Sequence, residues 1–277
     1  MVSQTAMTKR QLAGSRILIT GGGSGLGRQM GLQAAERGAH VIIWDRDRDA
    51  AERVAAEITA AGGTAEAHVV DITEVAVVNR IAERTGVVDV LINNAGIVAG
   101  KHLLDATETS IRRTYEVNAL ALYWVTRAVL PGMIARRNGA IVTVASAAGL
   151  LGVAQQTDYS ATKFAAVGFT ESLRAELRSL GHPIDTLTVC PFFIDTGMFE
   201  GAQTKFPLLL PVLKEAKVAG QILDAIERRR LTLVLPPFSR VLPYARLLPN
   251  RWFDVLADFL GVNTTMDHFV GRSTKKG

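Results

Sequence analysis

The chain has 277 residues, 48% of them apolar and 21% charged, with 25 Gly, 9 Pro and a single cysteine. That is enough apolar material for one large α/β core, and it excludes a disordered chain, a collagen-like repeat and a disulfide-stapled scaffold. The net charge of +5 sits in the last quarter: residues 1–199 balance 19 Lys and Arg against 19 Asp and Glu, and residues 200–277 hold 12 against 7. Those late cations lie among Leu, Val, Pro, Phe and Trp rather than in a polar basic run, so nucleic acid is not the expected partner. The opening segment MVSQTAMTKR has no apolar run, so no signal peptide is expected. With Cys190 alone, a reducing, cytoplasmic compartment follows.

Along the chain, β-branched runs at 16–20, 40–44, 66–70, 87–92, 140–145, 184–189 and 231–235 alternate with amphipathic segments near 25–38, 47–61, 74–85, 108–135, 158–180 and 215–229. Strand and helix in alternation predict an α/β fold, a doubly wound parallel sheet of about seven strands with helices on both faces, of the Rossmann type. Without a linker or repeat, residues 1–277 are expected to form a single domain. Within it, 14–196 form the cofactor and catalytic core, 192–217 a loop over the substrate and 236–277 an apolar and basic extension.

The first run leads into Gly21-Gly22-Gly23-Ser24-Gly25-Leu26-Gly27 at the head of a helix. Glycines there let the backbone turn sharply and approach a pyrophosphate, which rests on the free N–H groups of the helix N-terminus. Asp45 ends the second run, about twenty residues past Gly25, where a carboxylate accepts from ribose hydroxyls and repels a 2′-phosphate. This favours NAD over NADP. Arg46 and Arg48 argue the other way, since a guanidinium pairs with that phosphate, unless both are a solvated helix start. Asp71 and Ile72 follow the third run, to meet an adenine ring or, for Asp71, to cap the next helix. Asn93-Asn94-Ala95-Gly96 closes the fourth run with small residues suited to a nucleotide beside strand ends.

Ser146 ends the fifth run, and Tyr159 and Lys163 lie at i and i+4 of a helix that follows. That spacing puts them on one face, where the ammonium is expected to favour the phenolate and lower the tyrosine pKa from about 10. A serine hydroxyl at a strand end suits a substrate oxygen, and Asn118 suits a water linking the lysine to solvent. The five histidines have no ligand spacing, so no metal is expected.

Taken in order, the glycine motif, Asn94-Ala95-Gly96, Asn118, Ser146 and Tyr159/Lys163 resemble the short-chain dehydrogenase/reductase family across residues 14–196. The resemblance implies hydride transfer between nicotinamide and a carbonyl or alcohol carbon. It implies Tyr159 as general acid/base, Lys163 on the nicotinamide ribose, Ser146 polarising the substrate oxygen and Asn118 holding a relay water. It also implies cofactor contacts from Gly21, Ser24, Leu26, Asn94, Ala95, Gly96 and the segment holding Pro191, Ile194 and Thr196. Phe192 stands where the family has glycine. The stretch Pro191-Phe192-Phe193-Ile194-Asp195-Thr196-Gly197-Met198-Phe199, with Trp44-Asp45 and Met266-Asp267-His268-Phe269, is similar to the branch of retinol dehydrogenases and lipid-droplet 17β-hydroxysteroid dehydrogenases.

The loop after the sixth run carries Phe192, Met198, Phe199, Phe206, Leu208, Leu209, Leu210 and Leu213, so a lipophilic alcohol or ketone (retinoid, steroid or long-chain) is the expected substrate, with Ser146, Phe192, Met198 and Phe199 touching it. An NADPH-dependent 3-oxoacyl reductase and a non-catalytic nucleotide- or lipid-binding module are the alternatives. The resemblance implies a homodimer or homotetramer through the helices at 108–135 and 158–180. Cations and aromatics in 236–261 suit a subunit contact or a peripheral membrane contact.

Overall fold

The computed structural model describes residues 8–207 and 210–271. Seven parallel strands run β1 (Arg16–Thr20), β2 (His40–Asp45), β3 (Thr64–Val69), β4 (Val90–Asn93), β5 (Gly139–Val144), β6 (Ile184–Pro191) and β7 (Thr232–Leu235), in the spatial order β3-β2-β1-β4-β5-β6-β7. Alternation along each strand feeds two cores. Ile17, Ile19, Val41, Ile43 and Ile92 pack with α1 (Gly25–Glu36), α2 (Arg48–Ala60) and α7 (Glu215–Glu227) on one face. Leu18, Ile42, Trp44, Leu91 and Ile141 pack on the other with α3 (Val75–Thr85), α5 (Ala121–Ala135) and α6 (Thr157–Ser179). Burial on both faces is why these runs are continuously apolar rather than alternating. The direction of chain progress reverses between β1 and β4, and a crevice opens at their C-terminal ends, where ligands bind in sheets of this kind.

Three expected elements shift, each for a physical reason. The third strand begins two residues early, because Thr64-Ala65-Glu66-Ala67-His68 is a half-exposed edge strand whose polar alternation hides its start. The fourth begins at Val90 rather than 87, since Asp89 is spent on Arg16, its carboxylate accepting the backbone N–H at 2.9 Å, and Val87 is exposed. The segment expected as one helix over 108–135 is α4 (Glu108–Tyr115) and α5 joined by a π-turn, Glu116–Leu120. Among the described residues, Glu108–Ala135 is also the one helical run long and apolar enough to cross a membrane, and half of its most apolar window is buried.

The extension holds α8 (Leu242–Ala245) and α9 (Asn250–Phe259). Ala257 and Val262 pack on Leu151, and Arg246 reaches the Leu150 carbonyl at 3.0 Å while lying over the Phe164 ring. The tail beyond pins the substrate loop. The Gln203 amide donates to the Thr265 carbonyl at 3.0 Å and the Val270 amide to that of Glu200 at 2.9 Å. Phe269 lies so close to Gly100 that a Cβ there would meet its ring at 2.2 Å.

Candidate active site

The crevice encloses about 1200 Å³, part of it open to solvent. One half is built by the loop between β1 and α1. Gly21 and Gly25 adopt φ of +64° and +52°, the left-handed region that glycine enters without strain. A Cβ on Gly27 would stand 2.1 Å from the Gly21 carbonyl oxygen, so only glycine lets α1 approach the loop. Asn94 locks the same turn, its Nδ2 donating to the Thr20 and Gly21 carbonyls at 3.0 and 3.2 Å. The first turn of α1 carries no acidic side chain. Its N-terminal amides and dipole therefore suit an anion such as a pyrophosphate.

Two carboxylates shape the far end. Asp45 Oδ2 accepts from the Gly23 amide at 2.9 Å and Oδ1 from the Asp47 amide at 3.1 Å, which places the side chain at the mouth of the loop. Arg46 is exposed, lines the crevice and makes no ion pair among the described residues, whereas Arg48 is paired with Glu52 at 3.1 Å. Asp71 does not cap α3, whose N-cap is Glu74. Its carboxylate accepts from the Thr73 amide and hydroxyl at 3.0 and 2.6 Å and from Arg113 at 2.9 Å. Burial pushes the Asp71 carboxyl up, but these donors together hold it below the ordinary value. Arg113, a crevice residue that no local motif reveals, comes from α4.

At the other half stand Ser146, Tyr159 and Lys163. Asp158 anchors the start of α6, accepting from the Thr114 hydroxyl at 2.9 Å and the Tyr159 amide at 2.8 Å. Lys163 Nζ donates to the Val144 carbonyl at 3.0 Å and lies 5.5 Å from the Tyr159 ring centroid. The Tyr159 hydroxyl bonds Ser146, and Ser146 Oγ accepts from the Ala148 amide at 3.1 Å. One expectation is corrected here: the tyrosine is not acidified. Burial pushes Tyr159 up to about 12, outweighing its bond to Ser146, and burial pushes Lys163 down to about 8. Spacing on a helix face puts the ammonium near the phenol, but water is excluded from both, and burial shifts each toward its neutral form, Lys163 remaining mostly charged at neutral pH.

These shifts predict a pH dependence of stability. Lys163 has a folded pKa below its unfolded value, so its destabilising contribution is complete below about pH 8 and fades by 10.5. Tyr159, shifted upward, contributes its own cost only above pH 10. Without added cofactor, the Tm of the wild type is therefore expected to rise relative to that of Lys163→Met between about pH 8 and 10. A gap that stays constant or moves the other way contradicts the burial argument.

Asn118 sits in the π-turn and does not line the crevice. Its side chain is committed to protein: Oδ1 accepts from the Ile97 amide at 2.8 Å, and Nδ2 donates to the Ile97 carbonyl at 2.8 Å and Thr162 Oγ1 at 3.2 Å. It thus ties the segment after β4 to the π-turn, and Asn118 Oδ1 and Lys163 Nζ stand on the same side of Gly96. Ser24, Leu26, Ile72, Ala95, Gly96, Pro191, Ile194 and Thr196 all line the crevice, as do Phe192, Met198 and Phe199. Phe192, Phe193 and Phe199 form an edge-to-face chain with centroids 4.8 and 5.0 Å apart, ending 5.8 Å from the Tyr159 ring. Leu208 and Leu209 lie outside the described residues.

The model of the family "short chain dehydrogenase" matches residues 15–206. The chain is 40% identical over 274 residues to epidermal retinol dehydrogenase 2 of Mus musculus, covering 96% of this chain and 89% of that one. It is 36% identical over 249 residues to human 17-beta-hydroxysteroid dehydrogenase 13, covering 88% and 82%. A short-chain dehydrogenase/reductase from Burkholderia phymatum, solved in complex with NAD, superposes with a TM-score of 0.78 at 28% identity, over 90% of this chain and 96% of that one.

Proposed function

The chain belongs to the short-chain dehydrogenase family and is an NAD(P)-dependent oxidoreductase of CH–OH donors, and from that premise we propose that it interconverts a lipophilic alcohol and its carbonyl compound with NAD(H). The observation that carries this reading is the half-buried Ser146 beside the buried Tyr159 and Lys163, next to a wall of Phe192, Met198 and Phe199. When bound, the dinucleotide supplies the hydride acceptor for oxidation or the donor for reduction. The protein handles the proton. Ser146 Oγ would hold the substrate oxygen; in oxidation the Tyr159 phenolate takes the proton of the alcohol hydroxyl and becomes the neutral phenol, and in reduction the neutral phenol gives that proton to the carbonyl oxygen. Lys163, fixed on the Val144 carbonyl and next to Gly96, sets a cation near the phenol and would hold the nicotinamide ribose.

The cradle of Gly21, Ser24, Gly25, Leu26 and Gly27 would hold the pyrophosphate, Asp71 and Ile72 the adenine, and Asn94, Ala95, Gly96, Pro191, Ile194 and Thr196 the nicotinamide half. Asp45 supports NAD over NADP, since a carboxylate at the loop mouth accepts from a ribose hydroxyl and repels a phosphate. Hydrogen bonds to charged groups contribute about 1.5–3 kcal/mol, so a preference for NAD of roughly tenfold or more is expected. Asp45→Asn, which keeps an acceptor for the Gly23 amide and removes the charge, should narrow it. A wild type that prefers NADP would overturn the assignment and turn attention to Arg46 and a 3-oxoacyl reductase.

Leu120, Tyr123 and Phe164 stay exposed on the helices around α5 and α6 and support a homo-oligomeric contact there. Tyr244, Leu247, Trp252, Val255 and Phe259 are exposed on the extension near Arg240 and Arg251, which suits a peripheral contact with a headgroup boundary. The activity itself is tested by NADH formation with retinol, hydroxysteroids and long-chain alcohols. Turnover with at least one class supports the proposal, and silence across all of them, with NADH bound, contradicts it.

A further inference from the structure

The far end of the crevice holds an arginine whose side chain shapes a carboxylate. Arg113 reaches it from the last turn of α4, and Asp71, Ile72, Arg113 and Val117 line the crevice together. Its backbone is firmly mounted: the neighbouring Thr114 is buried, and the Thr114 hydroxyl bonds Asp158 at the start of α6 at 2.9 Å. The guanidinium then forks. Nη2 donates to Asp71 Oδ2 at 2.9 Å, and Nη1 donates to Thr73 Oγ1 at 2.9 Å with Glu116 Oε2 3.6 Å from it. Thr73 closes the ring, its hydroxyl and its amide both donating to Asp71 Oδ1, at 2.6 and 3.0 Å.

A count of donors shows what is left. Asp71 Oδ1 has two donors and is filled, whereas Oδ2 has one, so a lone pair of Oδ2 is free. The Asp71 side chain is 36% exposed and lines the crevice, so a ligand there has access to it. Burial alone would raise the Asp71 carboxyl, but the bonds from Thr73 and Arg113 bring it below its ordinary value. At neutral pH it therefore accepts and does not donate. A carboxylate gripped at one oxygen turns about that oxygen, and one gripped at both has a fixed plane. Among the described residues Arg113 is the only donor to Oδ2, so the aim of the free lone pair depends on it.

We propose that Arg113 is a positioning residue that makes the crevice select a 6-aminopurine dinucleotide over a 6-oxopurine one, by aiming Asp71 Oδ2 at the exocyclic amino group. This inference rests on the placement of the adenine at Asp71 and Ile72 and deepens it. An amino group donates where Oδ2 accepts. A 6-oxo group sets acceptor against acceptor and leaves the carboxylate unpaired, which is how a polar site rejects an analogue. Lysine would supply the charge, but a compact ammonium cannot span Thr73 and Asp71 as a planar fork does.

The test measures, by fluorescence titration, the binding of NADH and of reduced nicotinamide hypoxanthine dinucleotide, which carries a 6-oxo group in place of the amino group. Wild type is expected to bind NADH tighter by about tenfold or more. Arg113→Met should cut that preference to about threefold or less, Arg113→Lys should fall between the two, and Asp71→Ala should abolish it. Thermal melting confirms that each variant folds. A purely structural role for Arg113, or a contact with a phosphate common to both nucleotides, would weaken both alike and leave the ratio unchanged. A preference kept in Arg113→Met but lost in Asp71→Ala overturns the Arg113 assignment alone. A wild type without preference, or a preference that survives Asp71→Ala, overturns the adenine placement and the inference with it.

Discussion

Tyr159→Phe is expected to lower kcat by about 10²–10⁴, the contribution of a positioned general acid/base, while NADH affinity stays within about twofold. The ring is 4% exposed and packs edge-on against Phe199, so phenylalanine preserves the packing and removes only the hydroxyl. Steady-state turnover and fluorescence titration of NADH check both halves. The free tyrosine, held up to about 12 by burial, is a poor base at neutral pH. Alcohol oxidation is therefore expected to speed up with rising pH, while carbonyl reduction stays level until the pH nears 12. Turnover retained in Tyr159→Phe would place the proton transfer elsewhere.

Gly27→Ala is expected to be the most damaging single methyl in the cofactor half. Its Cβ would meet the Gly21 carbonyl oxygen at 2.1 Å and Asn94 Nδ2 at 2.7 Å, both parts of the clamp that shapes the loop. Neither neighbour can give way, because one is backbone and the other is hydrogen-bonded to Thr20. Overpacking of this kind costs about 1–3 kcal/mol, or roughly 10–100-fold in NADH affinity. Isothermal titration of the variant measures it. Gly152→Ala, with open space around its Cβ, is the control and should bind normally.

The fold was legible because its strands are buried on both faces, which makes each one a continuous apolar run bounded by glycine or polar residues. β1 is the clearest case, with Ile17, Leu18 and Ile19 all inaccessible to solvent. The glycine loop and the Tyr159/Lys163 pair were legible because their chemistry demands fixed residue types at fixed spacing. What escaped has no local sign. Glu116-Val117-Asn118-Ala119-Leu120 contains no glycine or proline to mark a π-turn. Arg113 joins the crevice through a bond to Asp71 on a different element. The acidity of Tyr159 was misjudged because helical spacing reports proximity and says nothing of dehydration.

The central claim, hydride transfer from an alcohol carbon, is tested most directly with an alcohol deuterated at the carbinol position. After turnover with NAD, mass spectrometry of the reduced nucleotide should show one deuterium, with the wild type forming it and Tyr159→Phe forming almost none. Reduced nucleotide without the label, or an oxidised alcohol without reduced nucleotide, would contradict the account.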